Sequence, residues 1–301
     1  MAISGSPHGA ATPAENLRGA LFMALAMAGY GFNDVIIKHL SSSLELGQTI
    51  FIRGLFAVFL LLILAITTGN MRAFKTALQP AIVIRSMSEV MATITFLIAL
   101  FNIPIANTTA ILQALPLVVT LGAALFLGEK FGWRRMIAIA IGFIGVLIIV
   151  RPGLEGFNIY SLAVLAAVIF AATRDLSTRL IVKKIPSLFI ALVTAIAVTV
   201  MGGVIALFEE WKPLDLATLG WLALAAGLLV VGYSFIAAAM RVGDISFIVP
   251  FRYTILLYAI FAGVVFFDEV PDFYTLLGSA IIVATGFYTL RREHVSRINK
   301  S

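Results

Sequence analysis

The sequence predicts an all-α polytopic membrane protein whose ten transmembrane helices form two inverted five-helix repeats. Three observations predict it. The 301 residues are 61% hydrophobic and only 12% charged, whereas a soluble domain carries about 25% charged residues; such a chain cannot cover itself with polar groups in water. Apolar windows recur at 17–40, 47–68, 78–102, 105–127, 135–150, 159–182, 187–208, 217–240, 246–267 and 272–290, most of them long enough to cross about 30 Å of hydrocarbon as a helix. Finally, the stretch 105–153 returns in looser form 140 residues later, with Phe126, Glu129, Ile141 and Arg151 matched by Phe266, Glu269, Ile281 and Arg291. Five spans per copy bring the second copy in from the opposite face, so the repeats must be inverted.

Residues 1–16 are small and polar and read as a disordered cytoplasmic tail; they lack the basic start of a signal peptide. The first repeat covers 17–153. Its first span carries Tyr30-Gly31-Phe32-Asn33-Asp34, matched in the sixth by Ala171-Ala172-Thr173-Arg174-Asp175 at an offset of 141. Arg53 lies within the second window, and Arg85 and Glu89 interrupt the third. The fourth has Pro116 one turn after Gln113, and a charged elbow of Glu129, Lys130, Arg134 and Arg135 leads into the fifth. The second repeat covers 154–290 and a basic cytoplasmic tail 291–301.

Orientation follows from lysine and arginine in the loops. With the N-terminus inside, one set of loops and tails holds 15 such residues and the other only three, Lys38, Arg151 and Lys212; the last three, Arg53, Arg174 and Arg252, fall within spans. Both termini are therefore expected on the cytoplasmic side. The basic residues meet lipid headgroups and solvent, so the net charge of +6 gives no reason to invoke nucleic acid.

Several function classes are excluded or disfavoured. With no cysteine, disulfides and thiolate metal sites are out. His8, His39 and His294 lie in a tail, at a helix end and in the other tail, so neither a metal centre nor a histidine-activated nucleophile is expected, and no catalytic residue is nominated. A nucleotide loop of the G-x-x-x-x-G-K-[ST] kind is absent, which leaves facilitated diffusion or ion-coupled exchange and no cofactor. A channel would show repeated rings of lining groups, and none recurs here.

The first half resembles the EamA domain of the drug/metabolite transporter (DMT) superfamily. The likeness rests on the aromatic-glycine-Asn turns followed by Lys38, on Phe51-Ile52-Arg53-Gly54, on Ala106-Asn107-Thr108-Thr109-Ala110 leading to Leu115-Pro116-Leu117, on Leu127-Gly128-Glu129-Lys130, and on Gly142-Phe143-Ile144-Gly145-Val146. Pro250, Phe267-Asp268-Glu269, Gly278 and Gly286 carry a weaker version in the second half. The resemblance implies a bacterial cytoplasmic (inner) membrane and a carrier for small metabolites. Amino-acid exporters of the YddG type are its nearest reading; carriers of nucleotide derivatives, vitamins or drugs are the alternative. A monomer is one expectation, and the sequence itself does not set the oligomeric state. Leu256 stands where Pro116 sits in the first copy, so a symmetric pair of kinks does not follow.

Charges inside spans are costly against lipid and must face the bundle interior. Helical rise places Asp34 and Arg53 at a similar depth on the outer side, and Glu89, Arg174, Asp175 and Arg252 on the inner side. These form two candidate gates, with snorkelling or helix-pairing roles the plainer alternative. Helix faces add cavity candidates: Tyr30, Asn33 and Asp34; Glu89, Thr93 and Phe96; Gln113 and Pro116; and Tyr253 beside Arg252. Glu89 is also the candidate proton carrier. The elbow glutamates Glu129 and Glu269 read as caps or loop anchors, and the glycines of spans five and ten as packing contacts.

Overall fold

Why the helices stop where they do is set by local chemistry that a hydropathy window does not register. The computed structural model describes residues 12–68, 78–128, 133–153, 157–181, 185–242 and 245–298. The first helix, α1 (Pro13–Leu40), starts inside the stretch expected to be tail, because Thr12 and Glu15 cap each other and Pro13 takes the first-turn position, where its missing N–H is no loss. There follow α2 (Leu46–Thr67), α3 (Pro80–Asn102), α4 (Ile105–Leu112), α5 (Leu115–Leu127) and α6 (Trp133–Val150). The second half repeats the order with α7 (Tyr160–Arg179), α8 (Ser187–Ala206), α9 (Leu216–Val242), α10 (Ile245–Ile248), α11 (Thr254–Phe267) and α12 (Phe273–Ile298), which runs on into the expected C-terminal tail. Among the described residues there is no strand.

The fourth span of each half is jointed. In the first half the joint is Gln113–Ala114, between α4 and α5; in the second it is a 3₁₀ segment, Val249–Tyr253, between α10 and α11. The kinks are thus paired although Leu256 replaces Pro116: Pro250 sits in the first turn of the 3₁₀ segment and supplies the break instead. The two jointed helices also end alike, in left-handed caps at Gly128 (φ 67°) and Asp268 (φ 54°). Aspartate is among the few non-glycine residues that tolerate this region.

Packing relates the halves by a pseudo-twofold exchange. The most extensive pairings are α1 with α9, α3 with α7, α2 with α8 and α6 with α12. Exchanging the halves turns the first into the second and returns each of the other two to itself. All four join one half to the other. Eight spans, counting each jointed pair as one, are long and apolar enough to cross a membrane, and α6 and α12 hold shorter apolar stretches, Met136–Val150 and Phe273–Thr289. These two press together at glycines: a Cβ on Gly145 would lie 2.9 Å from the Gly278 carbonyl oxygen, and one on Gly278 2.5 Å from that of Gly145. Large apolar side chains such as Phe59, Leu125, Ile169, Val200 and Phe261 point outward, as a lipid-facing surface requires.

Candidate functional site

On α1, Asn33 and Asp34 follow Tyr30 by roughly one turn and so share its face. Arg53 of α2 meets them: its Nη1 donates to Asn33 Oδ1 at 3.2 Å, and Asn33 Nδ2 donates to Asp34 Oδ1 at 2.9 Å. The amide both accepts and donates, so guanidinium and carboxylate are joined through Asn33 and not by direct contact.

A second charged group links α3 to α7. Arg174 Nη1 donates to Glu89 Oε2 and Arg174 Nε to Asp175 Oδ1, both at 2.8 Å. One guanidinium between two carboxylates meets the pairing that charges at membrane depth demand. Arg85, one turn before Glu89, takes a different set of partners: its Nε donates to Thr178 Oγ1 at 3.0 Å and its Nη1 to Thr194 Oγ1.

Two tyrosines tie these groups together. Tyr30 and Tyr233 of α9 pack edge to face, with centroids 5.6 Å apart and planes at 81°. Tyr30 lies within electrostatic reach of Glu89, Arg174 and Arg252, and Tyr233 within reach of Glu89, Arg174, Arg85 and Arg53. Beside them a cavity of about 80 Å³ opens between α2, α3, α8 and α9, lined by Arg53, Arg85, Glu89, Thr93, Thr194 and Tyr233 among others.

The remaining candidates lie elsewhere. Phe96 packs into an apolar cluster with Ile36, Ile37 and Leu100, away from the cavity lining. Gln113 Nε2 donates to the Arg252 carbonyl at 3.4 Å, which bridges the two joints. Pro116 sits in the first turn of α5 and its carbonyl accepts from Thr120 at 2.8 Å. Tyr253 turns toward α12, where it stacks on Phe287 at 5.9 Å. Arg252 is exposed and makes no ion pair among the described residues. Sequence reasoning missed Tyr233, Thr178 and Thr194, because a lone tyrosine or threonine in an apolar run carries no charge to mark it.

At one end of the bundle the connections are knotted together. Lys38 Nζ pairs with Glu269 Oε1 at 2.8 Å and donates to the Ile103 carbonyl at 2.7 Å, while Glu269 Oε2 accepts from the Ile105 N–H at 2.9 Å. Glu269 thereby caps α4 and anchors α1 with one carboxylate. At the same end Glu209 accepts from the Gly47 and Gln48 N–H groups, and Gln48 and Lys212 bond reciprocally. Arg151 meets Asp272 nearby. Glu129, the partner of Glu269 in the first copy, lies outside the described residues. Among the described residues no group of three or more histidine, aspartate or glutamate side chains is placed to hold a metal.

Comparison with known proteins decides the family. The chain matches the EamA-like transporter family twice, over residues 17–151 and 158–291.

The chain belongs to the EamA-like transporter family.

Its two matches coincide with the two sets of spans that the pseudo-twofold exchanges, which makes the chain a double-EamA membrane protein. Relatives within the family are transporters with different cargoes. A riboflavin transporter of Vibrio cholerae is 31% identical over 276 residues, covering 89% of this chain and 91% of that protein. An S-adenosylmethionine uptake transporter of Rickettsia conorii is 28% identical over 284 residues, 92% and 94% of the two chains. The pseudopaline exporter CntI of Pseudomonas aeruginosa is 26% identical over 275 residues, 88% and 93%. A crystal structure only 17% identical superposes with a TM-score of 0.52 over 96% of this chain and 98% of the other, a likeness of fold. The Glu89–Arg174 pair and the Tyr30–Tyr233 contact each join one EamA half to the other.

Proposed function

We propose that this EamA chain is a secondary transporter for a small metabolite that carries an amino-acid head group, either a neutral amino acid, aromatic ones included, or a conjugate of one. The observation that supports this reading is the cavity between the halves, where Arg53, Arg85, Glu89 and Tyr233 line one space, beside the Glu89–Arg174 pair and the Tyr30–Tyr233 contact. Groups of both signs suit a zwitterion, and ring edges and faces suit an apolar or aromatic side chain. A flat uncharged cargo such as riboflavin is the second reading, favoured by the 31% identity to a carrier of that compound and by the Tyr30–Tyr233 pair.

Alternating access supplies the mechanism. The end tied by Lys38 and Glu269 is the closed end, and the positive-inside bias makes it the outer one. The Glu89–Arg174 pair, which joins the halves, then breaks and reforms as they rock about the site, while the Arg53–Asn33–Asp34 group moves with the first half. With no G-x-x-x-x-G-K-[ST] loop in the sequence, the drive is taken to be the gradient of the cargo or of an exchanged ion.

Counterflow in liposomes containing the purified full-length protein tests this. Trans-loaded phenylalanine, S-adenosylmethionine or riboflavin is expected to accelerate entry of the same labelled compound, saturably. Flux that does not saturate, or the absence of counterflow with all three, sinks the proposal.

A further inference from the structure

We propose that Arg85 is the specificity-determining residue of this carrier: it receives the carboxylate of the cargo, while Glu89 Oε1, one turn away, takes the ammonium. The inference rests on the amino-acid reading above and names the side chains that would enforce it.

Arg174, bonded to the cavity-lining Glu89, is matched by two carboxylates, and the cavity-lining Arg53 is linked through Asn33 to Asp34. Arg85 lines the cavity with no carboxylate partner among the described residues. Thr178 and Thr194 accept from two of its nitrogens and so aim the guanidinium, but hydroxyls do not neutralise it. Thr194 is itself fixed, donating to the Ile190 carbonyl at 2.8 Å. A guanidinium has five N–H donors, so donors remain for a planar anion, which it grips best in a bidentate manner.

The second half of the recognition lies on the same helix. Glu89 uses Oε2 for Arg174, and its Oε1 takes no hydrogen bond among the described residues. Residues four apart sit on one helix face about 6 Å apart along the axis. Side chains so placed can address the two ends of one α-amino-acid head group, the carboxylate at Arg85 and the ammonium at Glu89. Arg85 and Glu89 do not bond to each other, so both are available to a zwitterion. An uncharged cargo would leave the partly buried Arg85 charge without a counterion, which a lowered dielectric penalises.

Binding of phenylalanine and of phenylalaninamide to the detergent-purified full chain provides the test, with counterflow as a second readout. The amide keeps the ammonium and the ring and loses only the anion. Wild type is expected to prefer the acid by about tenfold or more, the scale of a charge-assisted bond. Arg85→Gln should bring the preference close to one, chiefly by weakening acid binding. Thr194→Val, which keeps the arginine and removes one holder, should reduce the preference partially; it provides the reading if Arg85→Gln fails to elute as a monodisperse species. A preference that survives in the folded variants, or an equal loss of acid and amide binding, overturns the assignment. If riboflavin alone shows counterflow, the carrier reading stands and this inference falls; if no probe does, both fall.

Discussion

Lys38 shows how one side chain can tie several chain segments together. Its side chain is only 10% exposed and its ammonium meets both the Glu269 carboxylate and the Ile103 carbonyl, while the other oxygen of Glu269 caps the start of α4. Removing one partner leaves the other charge half-buried and unpaired, a loss of about 1–3 kcal/mol for a hydrogen-bonded charge. Glu269→Gln is therefore expected to loosen this end of the bundle. The native chain has no cysteine, so a single cysteine at the buried Ile103 reports it cleanly: maleimide labelling should be about tenfold faster in the variant, since 1.4 kcal/mol is a factor of ten. Equal labelling rates in variant and parent would show the contact to be incidental. The sequence already pointed to a cap at Glu269, because a glutamate just past a long apolar run has a helix end within reach. It gave no hint of Lys38 as partner, since the two are brought together by α1 packing near α11, a relation no local pattern encodes. The same limit applied to Asp34 and Arg53: equal depth was readable from helical rise, but not the intervening Asn33.

At the scale of the element, the apolar windows were legible because a bilayer fixes their length, and the jointed fourth spans were only half legible. Pro116 marked the first joint. The second was hidden because the break had moved to Pro250 and a 3₁₀ segment, so the residues differ while the geometry is kept. Close helix contacts were readable from small residues, though not their partners. Gly145 and Gly278 meet reciprocally, and a Cβ on either would press on the carbonyl of the other. Gly145→Leu forces α6 away from α12 over their whole shared length. Overpacking of this kind costs about 1–3 kcal/mol, so a lower melting temperature in detergent is the expected result. Leu147→Ala, at an outward-facing position of the same helix, is the control and should melt near the parent. If both variants melt alike, the α6–α12 contact does not support the fold.

For the whole molecule, the inverted duplication could be read from an odd span count and a 140-residue offset, but how the halves sit together could not. Hydropathy says which segments cross the membrane and nothing about which neighbours they choose, because lipid satisfies an apolar face as well as another helix does. Two repeats in sequence suggest two bodies side by side. The packing is instead interlaced: α1 lies on α9, α3 on α7, α2 on α8 and α6 on α12, so each main pairing takes one helix from each half. The charged groups obey the same rule, with Glu89 of the first half bound to Arg174 of the second and Lys38 of the first to Glu269 of the second. A half on its own would therefore expose Glu89 to lipid without its arginine, and would lose the faces that bury Ile37, Leu100 and Val164. Unpaired charge at membrane depth costs several kcal/mol, comparable with the entire stability of a domain of this size. Residues 1–153 and 154–301 expressed separately are expected to be degraded or to aggregate, whereas co-expressed they should co-purify as one complex with the melting behaviour of the intact chain. A monodisperse, cooperatively melting 1–153 fragment would show that the halves fold first and dock later, and the interface would then be a hinge between finished bodies in place of their shared core.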